Sequence, residues 1–179
     1  MILAQFLKPE DVLNELDIHG AMQIADFGAG GGHFSIICAK RLGDGGKVYA
    51  FDVQKSMLEA IRSHARAEQL HNVETCWTNL EEEKSTHLKE HSVDLVMINN
   101  ILFQAEHKKA LIAEAFRILK NRGKALVIDW ERIPNPLGPP IEKRVSKKTL
   151  ISMMNDAGFV FHRALDGGSH HYVMIFSKP

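Results

Sequence analysis

Four glycines fall within five residues, at Gly28, Gly30, Gly31 and Gly32, directly after the apolar run at 23–27. No other feature of the chain narrows the choice of fold as much. Glycine at that density lets the backbone turn sharply and approach a ligand, and a helix that follows offers its free N–H groups. A strand that delivers such a loop to a helix is the repeating unit of an open parallel sheet. A tight turn without a ligand is the plainer reading, and the glycine density counts against it.

Along the rest of the chain, strand-length apolar runs alternate with helical patterns. Residues 9–16 read as a helix, with Pro9 in the first turn, Glu10 and Asp11 behind it, and Val12, Leu13 and Leu16 apolar. A helix at 34–41 is stopped by Gly43, Gly45 and Gly46, and 47–51 is a second strand. A helix over 56–70 carries Met57, Leu58, Ile61 and Ala65 on one face, and Ser56 with Glu59 fits a capping box. Strands follow at 73–78 and 93–98, separated by a charged stretch, 81–91, expected at the surface. A helix over 108–119 ends at Asn121-Arg122-Gly123, and a fifth strand covers 124–129. Four of the six prolines crowd into 133–140, which excludes helix and central strand there. A helix at 146–157 stops at Gly158. Strands at 159–164 and 172–177 then flank Asp166-Gly167-Gly168-Ser169 as a hairpin. This order predicts an α/β fold: a mostly parallel sheet covered by helices on both faces, with the hairpin adding an antiparallel strand at or near the edge.

Composition limits what such a fold can do. A length of 179 residues implies one domain, 1–179, and 45% hydrophobic with 25% charged residues excludes disorder for the bulk of it. Lys and Arg number 22 against 22 Asp and Glu, so the formal net charge is zero and a polybasic nucleic-acid binder is disfavoured. Cys38 and Cys76 are too few for a disulfide framework and are expected free and buried. No apolar run nears the roughly 20 residues that cross a bilayer, and no basic-then-apolar leader opens the chain. No membrane is implied, and the expected compartment is the cytoplasm.

In an open parallel sheet, ligands bind outside the carboxyl ends of the strands, where strand order reverses. Gly28, Gly30 and Gly32 sit at the first such end, but a dinucleotide fingerprint counted from Gly28 would need glycine where His33 stands. Asp26 puts negative charge where a pyrophosphate would lie, which suits a cationic ligand better. Asp52 follows the second strand 20 residues after Gly32, where an acid accepts from ribose hydroxyls. Its rival role is a helix cap, which Ser56 is expected to supply. Apolar Val53 is then placed beside an adenine ring.

With these residues in view, the chain resembles the class I S-adenosylmethionine-dependent methyltransferases, specifically the small single-domain members. Asp26-x-Gly28-x-Gly30-x-Gly32 is similar to the first family motif and Asp52 to the second. Asn72-Val73 with Trp77-Thr78-Asn79-Leu80 is similar to the third; VDLVMINNILF and AEAFRILKNRGKALVIDW are similar to the fourth and fifth. The resemblance implies a Rossmann-like three-layer αβα sandwich with a seven-stranded sheet, S-adenosylmethionine as cofactor, and a small-molecule substrate. It implies that the loop Asp26, Phe27, Gly28, Ala29, Gly30 and Gly32 wraps the methionine part of the cofactor. Asp52 would hold the ribose, Val53 and Leu80 would sandwich adenine, Asn79 would accept from the adenine amine, and Asn99 would meet the methionine amine. Asn79 stands where the family usually carries Asp, so that hydrogen bond is expected to be weaker.

Several family features are missing. Leu102-Phe103-Gln104 replaces a Leu-His-His stretch, so no histidine base carries over and no catalytic residue is assigned. Neither an Asn-Pro-Pro-Tyr element nor a Pro-Cys nucleophile follows Asn99, which lowers support for exocyclic-amine and cytosine C5 methylation. His170 and His171 are adjacent on a strand and point to opposite faces, so they cannot easily share an ion, and no metal is expected. One of them bordering the substrate pocket is more plausible than a metal; a surface or edge-strand histidine is the ordinary alternative. Little chain is left over for substrate recognition, so the pocket is expected to be open or closed by a second copy. Two other classes stay open: a cofactor-binding module without catalysis, and a protein binding NAD.

Overall fold

The structure is a computed structural model, and it describes residues 7–43, 45–134 and 136–179. Alternation of strand and helix builds α1 (Pro9–Asn14), β1 (Gln23–Phe27), α2 (His33–Arg41), β2 (Lys47–Asp52), α3 (Lys55–Ala67), β3 (Val73–Trp77) and β4 (Val93–Asn99). The second half adds α4 (Lys108–Ile118), β5 (Leu119–Trp130), α5 (Lys147–Asp156), β6 (Val160–Leu165) and β7 (His171–Ser177), with a single 3₁₀ turn at Ile141–Lys143. One seven-stranded sheet runs in the order β3-β2-β1-β4-β5-β7-β6. Strands β1 to β5 are parallel, and β7 slots antiparallel between β5 and β6. The expected Rossmann-like three-layer αβα sandwich, mostly parallel with one antiparallel hairpin strand, is therefore the observed fold. That strand lies one place in from the edge.

Two-residue alternation along the strands divides the core. Ala25, Phe27, Val96, Ile98, Ala125 and Val127 face α4 and α5, while Ile24, Val48, Leu95, Met97 and Leu126 face α1 and α2. Ala50 packs with Leu58 and Ile61 of α3. Strand order reverses between β1 and β4, and the crevice at their carboxyl ends is where the site lies.

Local signals differ from the sequence reading in three places. Ser56 does not cap α3; the N-cap is Gln54, whose N–H is bound by the Asp52 carboxylate at 2.8 Å. Helix α4 ends earlier than expected, and β5 begins at Leu119 and runs straight through Asn121-Arg122-Gly123, with Arg122 left-handed at φ 64°. The Lys178 ammonium explains this, because it donates to the carbonyls of Phe116 and Leu119 and so supplies the end of α4 from a distant strand. The 81–91 stretch is only partly at the surface. Thr86 is buried, and Glu114 accepts from its N–H at 3.0 Å while pairing with Arg117.

Candidate active site

The glycine loop is shaped by backbone demands that a side chain would meet only with strain. Gly28, Gly30 and Gly32 all hold positive φ, at 72°, 51° and 80°. A Cβ on Gly32 would sit 2.6 Å from Ile61 Cγ1, so this glycine lets α2 start hard against α3. A Cβ on Gly30 would meet nothing within 4 Å, and that residue opens onto empty space. The amides of Gly28 and Ala29 both reach the Phe51 carbonyl at 2.9 Å, which ties the loop to β2.

Asp52 completes that tie. One carboxylate oxygen accepts from Gly30 N–H at 2.9 Å and the other from Gln54 N–H at 2.8 Å. Asp52 thus closes a turn onto the N-cap residue of α3 and braces the glycine loop, while the helix itself has no side-chain cap. Asp26 lies underneath. It is buried at 1% exposure, accepts from Ser35 Oγ at 2.7 Å and from Asn99 Nδ2 at 3.3 Å, and burial pushes its pKa up to about 6.

Above these residues opens a cavity of about 760 Å³. Of the eleven residues the sequence singled out, Gly28, Ala29, Gly30, Asp52, Val53, Asn79, Leu80 and Asn99 line it. Asp26, Phe27 and Gly32 do not. Strand alternation sends the Phe27 ring into the α4–α5 core, edge-on to Phe51, while Asp26 and Gly32 support the wall from behind. Val53 is 58% exposed at the rim, whereas Leu80 is buried. Asn79 sits in a turn, its Oδ1 accepting from Glu81 N–H at 3.1 Å.

The sequence missed several lining residues. Leu7 and Pro9 come from the N-terminal segment, Phe34 from α2, and Asn100, Ile101 and Gln104 from the turn after β4. His171, which the sequence left between pocket and surface, is in the wall, as is His33. The charged residues of the wall are Asp52 and Glu81, and no Lys or Arg is among its described residues. Asn99 Oδ1, Asn100 Oδ1 and His171 Nδ1 are buried without a hydrogen-bond partner among the described residues. No described group of three or more His, Cys, Asp or Glu is placed to hold a metal ion.

Comparison with known proteins agrees with this geometry. Residues 18–171 match the family described as "Methyltransferase domain". This chain belongs to that family. The methyltransferase domain is similar in structure to an S-adenosylmethionine-dependent methyltransferase from Aquifex aeolicus, with TM-score 0.85 and 26% identity, covering 96% of this chain and 89% of that one. It is 30% identical over 122 residues to the ubiquinone/menaquinone biosynthesis C-methyltransferase UbiE of Bordetella parapertussis, covering 68% of this chain and 46% of that protein. The chain thus spans about half the length of the curated relatives it matches. Geranyl diphosphate C-methyltransferase from Streptomyces coelicolor shares the fold alone, at TM-score 0.78 and 15% identity, covering 96% of this chain and 78% of that one.

The cofactor of this methyltransferase domain is S-adenosylmethionine, and the cavity fits it on three counts. Its wall is built from backbone that a Cβ would narrow at Gly28, where Ile101 Cδ1 would lie at 2.8 Å. Two amide side chains of the wall, Asn99 and Asn100, each keep an oxygen with no partner among the described residues, and the cofactor is rich in donors. The wall's carboxylates suit a sulfonium cation better than the pyrophosphate of a dinucleotide. No helix among the described residues is long and apolar enough to cross a membrane.

Proposed function

We propose that this methyltransferase domain moves the methyl group of S-adenosylmethionine to a small, largely apolar molecule that enters from the β4 and β7 side of the cavity. The observation that carries the reading is the wall itself, which runs from a braced glycine loop and two carboxylates at one end to Leu7, Pro9, Phe34 and Ile101 at the other. When bound, the cofactor supplies an electrophilic methyl on a good leaving group. Gly28, Ala29 and Gly30 line the backbone cradle for its methionine part, with Asp26, Phe27 and Gly32 holding that cradle in shape. Asp52 holds the ribose, Val53 and Leu80 flank the adenine, and Asn79 reaches its amine. Asn99 Oδ1 accepts from the methionine amine, with its Nδ2 anchored on Asp26.

The protein's own contribution is placement. Aligning a nucleophile with the methyl and excluding water supplies roughly 7–11 kcal/mol of the barrier. The C-methyltransferase relatives support an acceptor with a ring or conjugated frame, and the neutral chain gives no reason to look for a nucleic acid. Incubation with methyl-labelled S-adenosylmethionine and separate pools of metabolites, RNA and protein tests this. Label is expected in the metabolite pool; label confined to protein or RNA contradicts the substrate class. Cofactor binding without transfer to any pool would identify a binding module instead.

A further inference from the structure

One titratable side chain in the cavity wall has no part in holding the cofactor. His171 opens β7 and pairs in register with Trp130 on β5. Their rings stack with centroids 4.3 Å apart and planes tilted by 41°. The indole is held from behind as well. Arg144 lies 5.6 Å from its centroid, and Gly138, at φ 79°, packs so close that a Cβ would be 2.5 Å from the ring. Arg144 is buried and donates to the carbonyls of Glu131, Ile133, Leu137 and Pro139. The proline-rich segment is thereby wrapped around Trp130, and the indole presents a fixed surface to the imidazole.

A ring held this way is preorganised rather than free to swing. Its Nδ1 is buried and makes no hydrogen bond among the described residues, so the rest of the ring is what borders the cavity. The same cavity is lined by the apolar or amide side chains of Phe34, Ile101, Asn100 and Gln104, and by His33, Asp52 and Glu81. Burial, with His170 and Arg144 nearby, lowers the imidazole pKa, so the ring is neutral and able to accept a proton at physiological pH.

We propose that His171 is the catalytic base of this domain and that its acceptor substrate presents a phenol-type hydroxyl. The inference rests on the proposed methyl transfer. The acceptor O–H bond breaks and its proton passes to the imidazole. The electron pair left on oxygen forms the bond to the methyl carbon. The methyl–sulfur bond breaks with its pair remaining on sulfur, which turns a sulfonium into a thioether. The imidazolium then gives its proton to water. Trp130, Gly138 and Arg144 act as positioning residues.

The test uses two phenols with the full chain. para-Cresol, with a pKa near that of tyrosine, keeps its proton at neutral pH, and para-nitrophenol is already about half ionised there. His171→Ala and His171→Gln should lower turnover of para-cresol by about 100-fold or more, and that of para-nitrophenol by less than about 10-fold. S-adenosylhomocysteine affinity and melting temperature should be unchanged in the Gln variant. The wild-type rate on para-cresol should fall on the acid side as the imidazole protonates, and the variants should lose that limb. Groups whose own titration must be separated by this comparison are His170, Asp129, Glu131 and Arg144 around the ring, and His33, Asp52 and Glu81 in the wall. Equal losses on both phenols would overturn the base role. Absence of wild-type turnover on either phenol, with S-adenosylhomocysteine still bound, would overturn the proposal while leaving the proposed function standing. Failure to bind S-adenosylhomocysteine at all would overturn both.

Discussion

The two ends of the cavity are built on opposite terms. At the β1–β2 end every polar group of the framework is engaged: both Asp52 oxygens, the Gly28, Ala29 and Gly30 amides, and the Asp26 carboxyl. At the β4–β7 end, Asn99 Oδ1, Asn100 Oδ1 and His171 Nδ1 of the wall are buried with no partner among the described residues. Unpaired buried polar atoms are costly, and native structures keep few of them away from function. One end is finished before any ligand arrives. The other is completed by whatever occupies it. That difference supports the proposed division into a preorganised cofactor cradle and a reaction chamber, and substitutions at each end should fail in different ways.

The largest effect is expected at Gly32. Gly32→Val adds left-handed strain to a 2.6 Å clash with a β-branched side chain, so it should cost about 2–5 kcal/mol of stability. Gly30→Ala, with no neighbour within 4 Å of its Cβ, should cost about 1–2 kcal/mol from strain alone. Thermal melts of the pair check the distinction, and equal losses would show that the loop is not held against α3 as described. Asp52→Ala removes the acceptor for two backbone amides and the proposed partner of the ribose, and should weaken S-adenosylhomocysteine binding by about 1.5–3 kcal/mol. Calorimetric titration reads this directly, and unchanged affinity would remove Asp52 from the cofactor site.

Acid acts on two buried carboxyls in the same direction. Burial raises Asp26 and Asp129 to about 6, with Trp130 N–H acting against the rise at Asp129. Each holds its proton more tightly folded than unfolded, so its ionisation penalises the fold above about pH 6. The penalty fades as pH falls from 6 toward 4, below which the unfolded chain is protonated too. Each carboxyl should therefore add about 1 kcal/mol of stability between pH 7 and pH 5. Glu114 is lowered despite its burial, because Arg117 and Thr86 hydrogen-bond its charged form, and its contribution disappears only in stronger acid. Urea midpoints of wild type and Asp26→Asn at the two pH values isolate the Asp26 share, and identical pH dependence would contradict its raised pKa. The smallest effect is at Asn79, where Asn79→Asp should tighten cofactor binding by less than about 1 kcal/mol, since that residue is exposed and already turned toward Glu81 N–H.

The same division governs what could be read without coordinates. Glycine spacing, the acid after the second strand and the alternation of apolar runs are local signals, and they located β1, β2, α2 and the braced end of the cavity. Signals carried by distant residues were invisible. Lys178 ends α4 from some 60 positions away, which is why β5 starts before the Asn121-Arg122-Gly123 punctuation instead of after it. Ser56 looked like a cap because the spacing to Glu59 is right, yet α3 already begins at Lys55, after a turn that Asp52 closes on Gln54 N–H. Phe27 sits inside the motif but its parity on the strand turns it into the core. His171 could not be assigned from its neighbours in sequence, because what places it is Trp130 across the antiparallel pair and Arg144 beneath.

The central claim is that a finished cradle for S-adenosylmethionine occupies the β1–β2 end. Isothermal titration of the wild-type chain with S-adenosylhomocysteine and, separately, with NAD tests it most directly. Saturable one-to-one binding of S-adenosylhomocysteine, with no detectable heat of binding from NAD, is the predicted result. Binding of NAD in the absence of any affinity for S-adenosylhomocysteine would contradict it.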